Sequence, residues 1–161
     1  MKIHAFNDRE GLKIAAEMER RGEVFYRKAA RLSDSPETVR VLERLAADEA
    51  LHRAEFERLA AKTAASDVDY DEETSAYLSA IAADVVFPEG LMALRRAGFN
   101  SPEDVLLEAI QSEKDAILFY TELAAHAAGA GAKATFEEII RQERSHMRLL
   151  QKRLSAVLAE G

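Results

Sequence analysis

Two stretches of the sequence, ADEALHRAEF (47–56) and RQERSHMRLL (141–150), each carry a Glu, two spacers and a His: Glu49–His52 and Glu143–His146. Both stretches read as helix, where positions i and i+3 share a face. A carboxylate and an imidazole one turn apart can grip a divalent cation, and two such pairs facing each other can grip two. A single Glu-x-x-His is a weak signal, because Glu is abundant in this chain.

The second pair belongs to a repeat. Glu143 follows Glu49 by 94 residues and His146 follows His52 by the same interval. The same offset carries Glu19 onto Glu113, Phe25 onto Phe119 and Tyr26 onto Tyr120, so EMERRGEVFY (17–26) aligns with QSEKDAILFY (111–120). Each half therefore holds a lone Glu, a Phe-Tyr pair, and then Glu-x-x-His. A duplicated hairpin that merely inherited surface charges would look the same, so the placement of these residues among the apolar positions decides.

They fall inside the apolar stripes. Leu42, Leu45, Glu49, His52, Phe56 and Leu59 follow alternating three- and four-residue steps, as do Phe136, Ile139, Glu143, His146, Leu150 and, less cleanly, Arg153. The other two stripes are Leu12, Ala15, Glu19, Gly22, Tyr26, Ala29 and Leu106, Ala109, Glu113, Ala116, Tyr120, Leu123. Four buried carboxylates without compensation would protonate or prevent folding. No Lys sits in these stripes. Two divalent cations would balance four Glu and two neutral His, and such a carboxylate-rich shell suits Fe(II) or Mn(II) better than structural zinc.

The elements that must position these groups follow from the periodicity. Helices are expected over 8–32, with Asn7 or Asp8 as N-cap, and from Pro36 to about 64. A short helix is expected around 73–84, with loop signals at Pro88-Glu89-Gly90 and Gly98-Phe99-Asn100. A further helix runs from the Ser101-Pro102 cap to about His126. GAGA (129–132) punctuates, and a last helix runs from about 133 to 158. Two hairpins joined by a long connection give an all-α, ferritin-like four-helix bundle with a crossover containing a short helix, in a single domain over 1–161.

With 161 residues, three Pro and seven Gly, the composition suits a helical bundle. The absence of Cys excludes disulfides, thiolate catalysis and iron–sulfur ligation by these residues. A net charge of −7 without a basic cluster argues against nucleic acid or an anionic membrane as partner. No run of eighteen apolar residues and no secretory h-region are visible, so a cytoplasmic location is the default expectation.

On Glu19, Glu49-x-x-His52, Glu113, Glu143-x-x-His146 and the two Phe-Tyr pairs, the sequence resembles the ferritin-like di-iron carboxylate proteins, and within them the rubrerythrin-like group. The resemblance covers nearly the whole chain. It implies a di-iron site reacting with peroxide or dioxygen, with Glu49 and Glu143 bridging, Glu19 and Glu113 terminal, and one His on each iron. Two departures stand out. Rubrerythrins carry a further Glu one turn after the third-helix ligand, where this chain has Ala116, matched by Gly22 in the first half. They also usually carry a four-cysteine iron site, which a chain without Cys cannot form, so an external electron-donor protein is required.

Around this centre, Tyr26 and Tyr120 are expected to contact ligand carboxylates. Asp48 could orient His146 through its free ring nitrogen, and Gln142 could do so for His52 only as an amide. His126 is expected at the surface, His4 away from any metal, and Met18, Met92 and Met147 in packing roles. Small Gly22 and Ala116 leave room for an oxidant or reflect close helix packing. The function expected is a di-iron oxidoreductase, a peroxidase or oxidase acting in oxidative stress. A ferroxidase or iron-handling ferritin-like protein is the alternative. A di-iron hydroxylase and a helical interaction module with a structural or lost metal site are weaker readings. Ferritin-like bundles commonly pair along their sides, which implies a homo-oligomer such as a dimer.

Overall fold

In a computed structural model that describes residues 5–64, 68–84 and 101–160, five helices are seen and no strand among those residues. They are α1 (Asp8–Leu32), α2 (Pro36–Lys62), α3 (Glu72–Asp84), α4 (Pro102–His126) and α5 (Ala130–Glu160). The loop signals at 88–90 and 98–100, together with His4 and Met92, lie outside the described residues. Local chemistry sets the helix starts. Asn7 caps α1 by accepting from the Glu10 amide, Ser35 caps α2 through Thr38 N, and Ser101 caps α4 through Asp104 N. Pro36 and Pro102 occupy first-turn positions, where no amide hydrogen is needed.

Cross-bundle contacts fix the helix directions. Tyr26 meets Glu113 while Tyr120 meets Glu19, so α1 and α4 run antiparallel. His52 meets Gln142 while His146 meets Asp48, so α2 and α5 run antiparallel as well. The short α1–α2 and α4–α5 turns make each pair an antiparallel hairpin, which leaves α2 and α4 parallel. The chain between them must therefore return along the bundle, as in the ferritin-like topology. On this return α3 packs its buried Leu78 and Ile81 into the apolar cluster that holds Phe119 and Leu123.

The core is split in two. One apolar cluster gathers Leu12, Ala15, Phe56, Phe119, Tyr120 and Phe136, with the Phe56 ring 5.3 Å from that of Tyr120 and 5.6 Å from that of Phe136. The other gathers Phe25, Tyr26, Leu42, Leu45, Leu106 and Leu150. Along every long helix the Glu or Glu-x-x-His positions fall between residues of the first cluster and residues of the second. The two dry clusters thus enclose a polar layer.

The last helix begins at Ala130, three residues earlier than the GAGA stretch suggests. Asp8 explains the difference. Having left the cap role to Asn7, its buried carboxylate accepts from Ala128 N at 3.0 Å, Gly129 N at 2.7 Å and the Tyr70 hydroxyl at 2.5 Å. The α4–α5 link is held so tightly that the helix starts immediately after it. A Cβ at position 129 would sit 3.3 Å from Asp8 Oδ2, so glycine suits the approach. Asp8→Ala removes three hydrogen bonds to a charged acceptor and should cost about 3 kcal/mol. Urea unfolding of the metal-free protein measures this, and a change within about 0.5 kcal/mol would contradict the clamp.

Candidate metal centre

Each of the four long helices delivers its stripe residues to the polar layer. Glu19, Glu49, Glu113, Glu143, His52 and His146 are all between 1% and 5% exposed, so the layer is dry. The structure brings all six together. One set of ligand atoms, from Glu19, Glu49, His52 and Glu143, lies mutually within 4.8 Å, and a second does so from Glu49, Glu113, Glu143 and His146. Glu49 and Glu143 belong to both sets.

The geometry repeats about a pseudo-twofold axis. His52 Nδ1 lies 2.9 Å from Glu143 and 3.5 Å from Glu19. His146 Nδ1 lies 3.3 Å from Glu49 and 3.4 Å from Glu113 and from Glu143. The imidazole rings are 5.6 Å apart and nearly parallel. Their outer nitrogens are engaged elsewhere: His52 Nε2 with Gln142 Oε1 at 2.6 Å, and His146 Nε2 with Asp48 Oδ2 at 3.1 Å. Both Nδ1 atoms therefore face the carboxylates. The Tyr26 hydroxyl donates to Glu113 Oε1 at 2.5 Å and the Tyr120 hydroxyl to Glu19 Oε1 at 2.7 Å, each reaching across to the opposite hairpin.

The electrostatics are those of crowded, buried carboxylates with two imidazoles as their only basic partners among the contacts seen. Burial, followed by the neighbouring carboxylates Glu143, Glu19 and Glu113, pushes the Glu49 carboxyl well above its usual range. Burial and Glu143 do the same to Glu113. Burial would raise Glu143 too, but contacts with Glu113, His146 and His52 win and hold it low. Burial opposes charge on the imidazoles; Glu143 and Glu19 nevertheless push His52 up to about 11, and Glu113 and Glu143 push His146 up to about 10. Burial, then the carboxylates, raises both Tyr hydroxyls, so each stays a donor.

The donor set fits metal ions. Glu19 Oε2, Glu49 Oε1, Glu143 Oε1 and both His Nδ1 atoms are buried without a hydrogen-bond partner. Buried polar atoms left without a well-formed hydrogen bond are costly unless something coordinates them. Six oxygen- and nitrogen-donor side chains, two of them shared between the sets, match the di-iron and di-manganese carboxylate arrangement.

Residues outside the layer behave differently. His126 is exposed, 3.8 Å from Glu122, with its ring against Tyr70. Met18 is buried in the core and Met147 packs at its edge. Gly22 and Ala116 are buried beside the layer. Sequence reasoning missed Asp8 and the role of Glu138, which hydrogen-bonds Gln142. In the sequence Asp8 reads only as an alternative N-cap to Asn7, and no local pattern marks the distant contacts of either residue.

Fold and site together define a ferritin-like helical bundle with a buried carboxylate–imidazole cluster. Residues 104–160 match the family model for Rubrerythrin. The chain also matches a solved Thermotoga maritima structure, provisionally described as a ferritin-like diiron-carboxylate protein. The two share 27% identity with a TM-score of 0.74, over 92% of this chain and 95% of that one. No curated protein matches it. The chain is similar to rubrerythrins over residues 104–160 and to a ferritin-like diiron-carboxylate structure over most of its length, and its cluster fits a di-iron protein. Among the described residues no helix is long and apolar enough to cross a membrane.

The pKa shifts set a pH dependence for the metal-free protein. Both imidazoles titrate above their ordinary 6.5 when folded, to about 11 and about 10. Their stabilising contribution is complete below pH 6.5 and is lost as pH rises through those folded values. Glu49 and Glu113 act in the same direction from about pH 4.5 upward. The metal-free protein should therefore lose stability between pH 6.5 and 9, by up to about 1.4 kcal/mol per pH unit for each retained proton. Saturating Mn(II) should flatten that slope, because bound cations replace the protons. Urea midpoints across this range, with and without Mn(II), check both halves; a metal-free slope of zero would contradict the assignment.

Proposed function

We propose that the cluster holds two iron ions and that the protein is a di-iron oxidoreductase reducing hydrogen peroxide or dioxygen, with electrons delivered by an external donor protein. In this reading Glu49 and Glu143, common to both ligand sets, would serve both ions, while Glu19 with His52 and Glu113 with His146 would each serve one; manganese could occupy the same ligands. The observation that carries it is the pair of overlapping ligand sets sharing Glu49 and Glu143, with orphaned donor atoms pointing inward.

When bound, a ferrous pair would supply two electrons, which together with two protons from solvent reduce one hydrogen peroxide to two waters. The chain's own residues do the rest. The carboxylates offset the ionic charge and adjust to two oxidation states. Tyr26 and Tyr120, kept protonated, hold Glu113 and Glu19 in place by hydrogen bonds. The apolar clusters on both sides exclude bulk water from the layer. A homodimer accompanies this proposal and rests on the resemblance, and cytoplasmic residence accompanies it as the default expectation from the sequence.

Anaerobic Fe(II) titration of metal-free protein should show two equivalents bound per chain. Glu49→Ala or Glu143→Ala should abolish both, since each removes a shared ligand. The di-ferrous protein should then be oxidised rapidly by one equivalent of peroxide, or by dioxygen, with the visible ferric absorption as readout. Failure of both oxidants would overturn the oxidoreductase reading. A closed multi-subunit shell by size-exclusion chromatography, with far more than two irons retained per chain, would favour iron storage instead.

A further inference from the structure

The repeat is imperfect where it touches the imidazoles. The residue 94 positions after Asp48 is Gln142, and the residue 94 positions before Glu138 is Arg44. We propose that the two metal positions are unequal: the ion on His146 is the tightly held one, anchored through Asp48, and the ion on His52 is the exchangeable one, set through a Glu138–Gln142 amide relay. This rests on the dinuclear reading above.

At His146, Nε2 faces Asp48 Oδ2 at 3.1 Å. An ionised carboxylate only accepts, so Nε2 keeps its proton, and a bound cation would displace only the Nδ1 proton, using the Nδ1 lone pair on the side of Glu49, Glu113 and Glu143. A negative partner on Nε2–H also makes Nδ1 a stronger donor. No further support is required, and the half-buried Asp48 adds one negative charge to this side of the layer.

At His52 the partner is ambiguous. Gln142 Oε1 accepts from Nε2 at 2.6 Å, but an amide turned around would donate there instead. The ring proton would then sit on Nδ1, directed at Glu143, and the lone pair a cation needs would be lost. Glu138 prevents this. It lies one turn back on α5 and accepts from Gln142 Nε2 at 3.2 Å, while Arg141 holds its other oxygen. The relay adds no charge at the imidazole and exists in only one half of the molecule. It also borders solvent: His52, Gln142, Glu138 and Glu55 line an open cleft of about 430 Å³ between α2 and α5. Glu138 and Gln142 are thus positioning residues for one metal position only.

Mn(II) titration of metal-stripped protein, with free Mn(II) followed by electron paramagnetic resonance, tests this. Wild type should bind two ions in two separated phases. Asp48→Asn should weaken the tighter phase about tenfold or more and spare the weaker one. Glu138→Ala should weaken only the weaker phase by a similar factor. Gln142→Glu places a carboxylate on His52 and should draw the weaker phase toward the tighter one, a gain that misfolding cannot imitate. Two equal sites in wild type would overturn the proposal, as would Asp48→Asn and Gln142→Glu acting on one and the same phase. Failure to bind any Mn(II) or Fe(II) would instead overturn the dinuclear reading on which it stands.

Discussion

Four carboxylates in a dry layer are the constraint on which the rest of the structure depends. Glu19, Glu49, Glu113 and Glu143 are each nearly inaccessible to water, and no Lys or Arg reaches them among the contacts seen. In a low-dielectric layer their mutual repulsion is strong. Protons on two imidazoles and shared between carboxyls relieve it in the metal-free chain, and divalent cations would relieve it better. The tyrosine hydroxyls, the outward hydrogen bonds of the imidazoles and the apolar clusters on both sides all act to hold this repulsive set in one arrangement.

The pseudo-twofold repeat is what makes that arrangement accessible to one chain. Each hairpin supplies half of the ligands, and neither half can complete a ligand set alone: Glu19 and His52 need Glu143, while Glu113 and His146 need Glu49. The same interdependence appears around the set, where each tyrosine hydrogen-bonds a glutamate of the other hairpin. The complete site therefore exists only where the two hairpins are docked. The long return between α2 and α4 follows from it, since the two hairpins must face each other in opposite sense.

Much of this was legible in the sequence because the site and the core share one periodicity. The 94-residue offset and the stripe positions of the four Glu and two His place all six in the layer where the structure has them, and the helix limits 8–32 and 102–126 follow from the caps and prolines. What the sequence did not disclose depends on distant contacts. Asp8 reads as a helix-start acid until the α4–α5 link and Tyr70 are seen to converge on it. GAGA reads as a break until that clamp is known to hold the turn. Nothing in the sequence singles out Glu138, and only its hydrogen bond with Gln142, itself in contact with His52, connects it to the layer.

The dinuclear centre itself is the claim most in need of direct sight. Anomalous diffraction at the iron edge, from crystals of iron-loaded protein, would locate the ions without reference to activity. Two peaks are predicted, both within bonding distance of Glu49 and Glu143, one also beside His52 and Glu19 and the other beside His146 and Glu113. A single peak, peaks elsewhere on the bundle, or none in protein that has been loaded and has kept its fold would contradict the account.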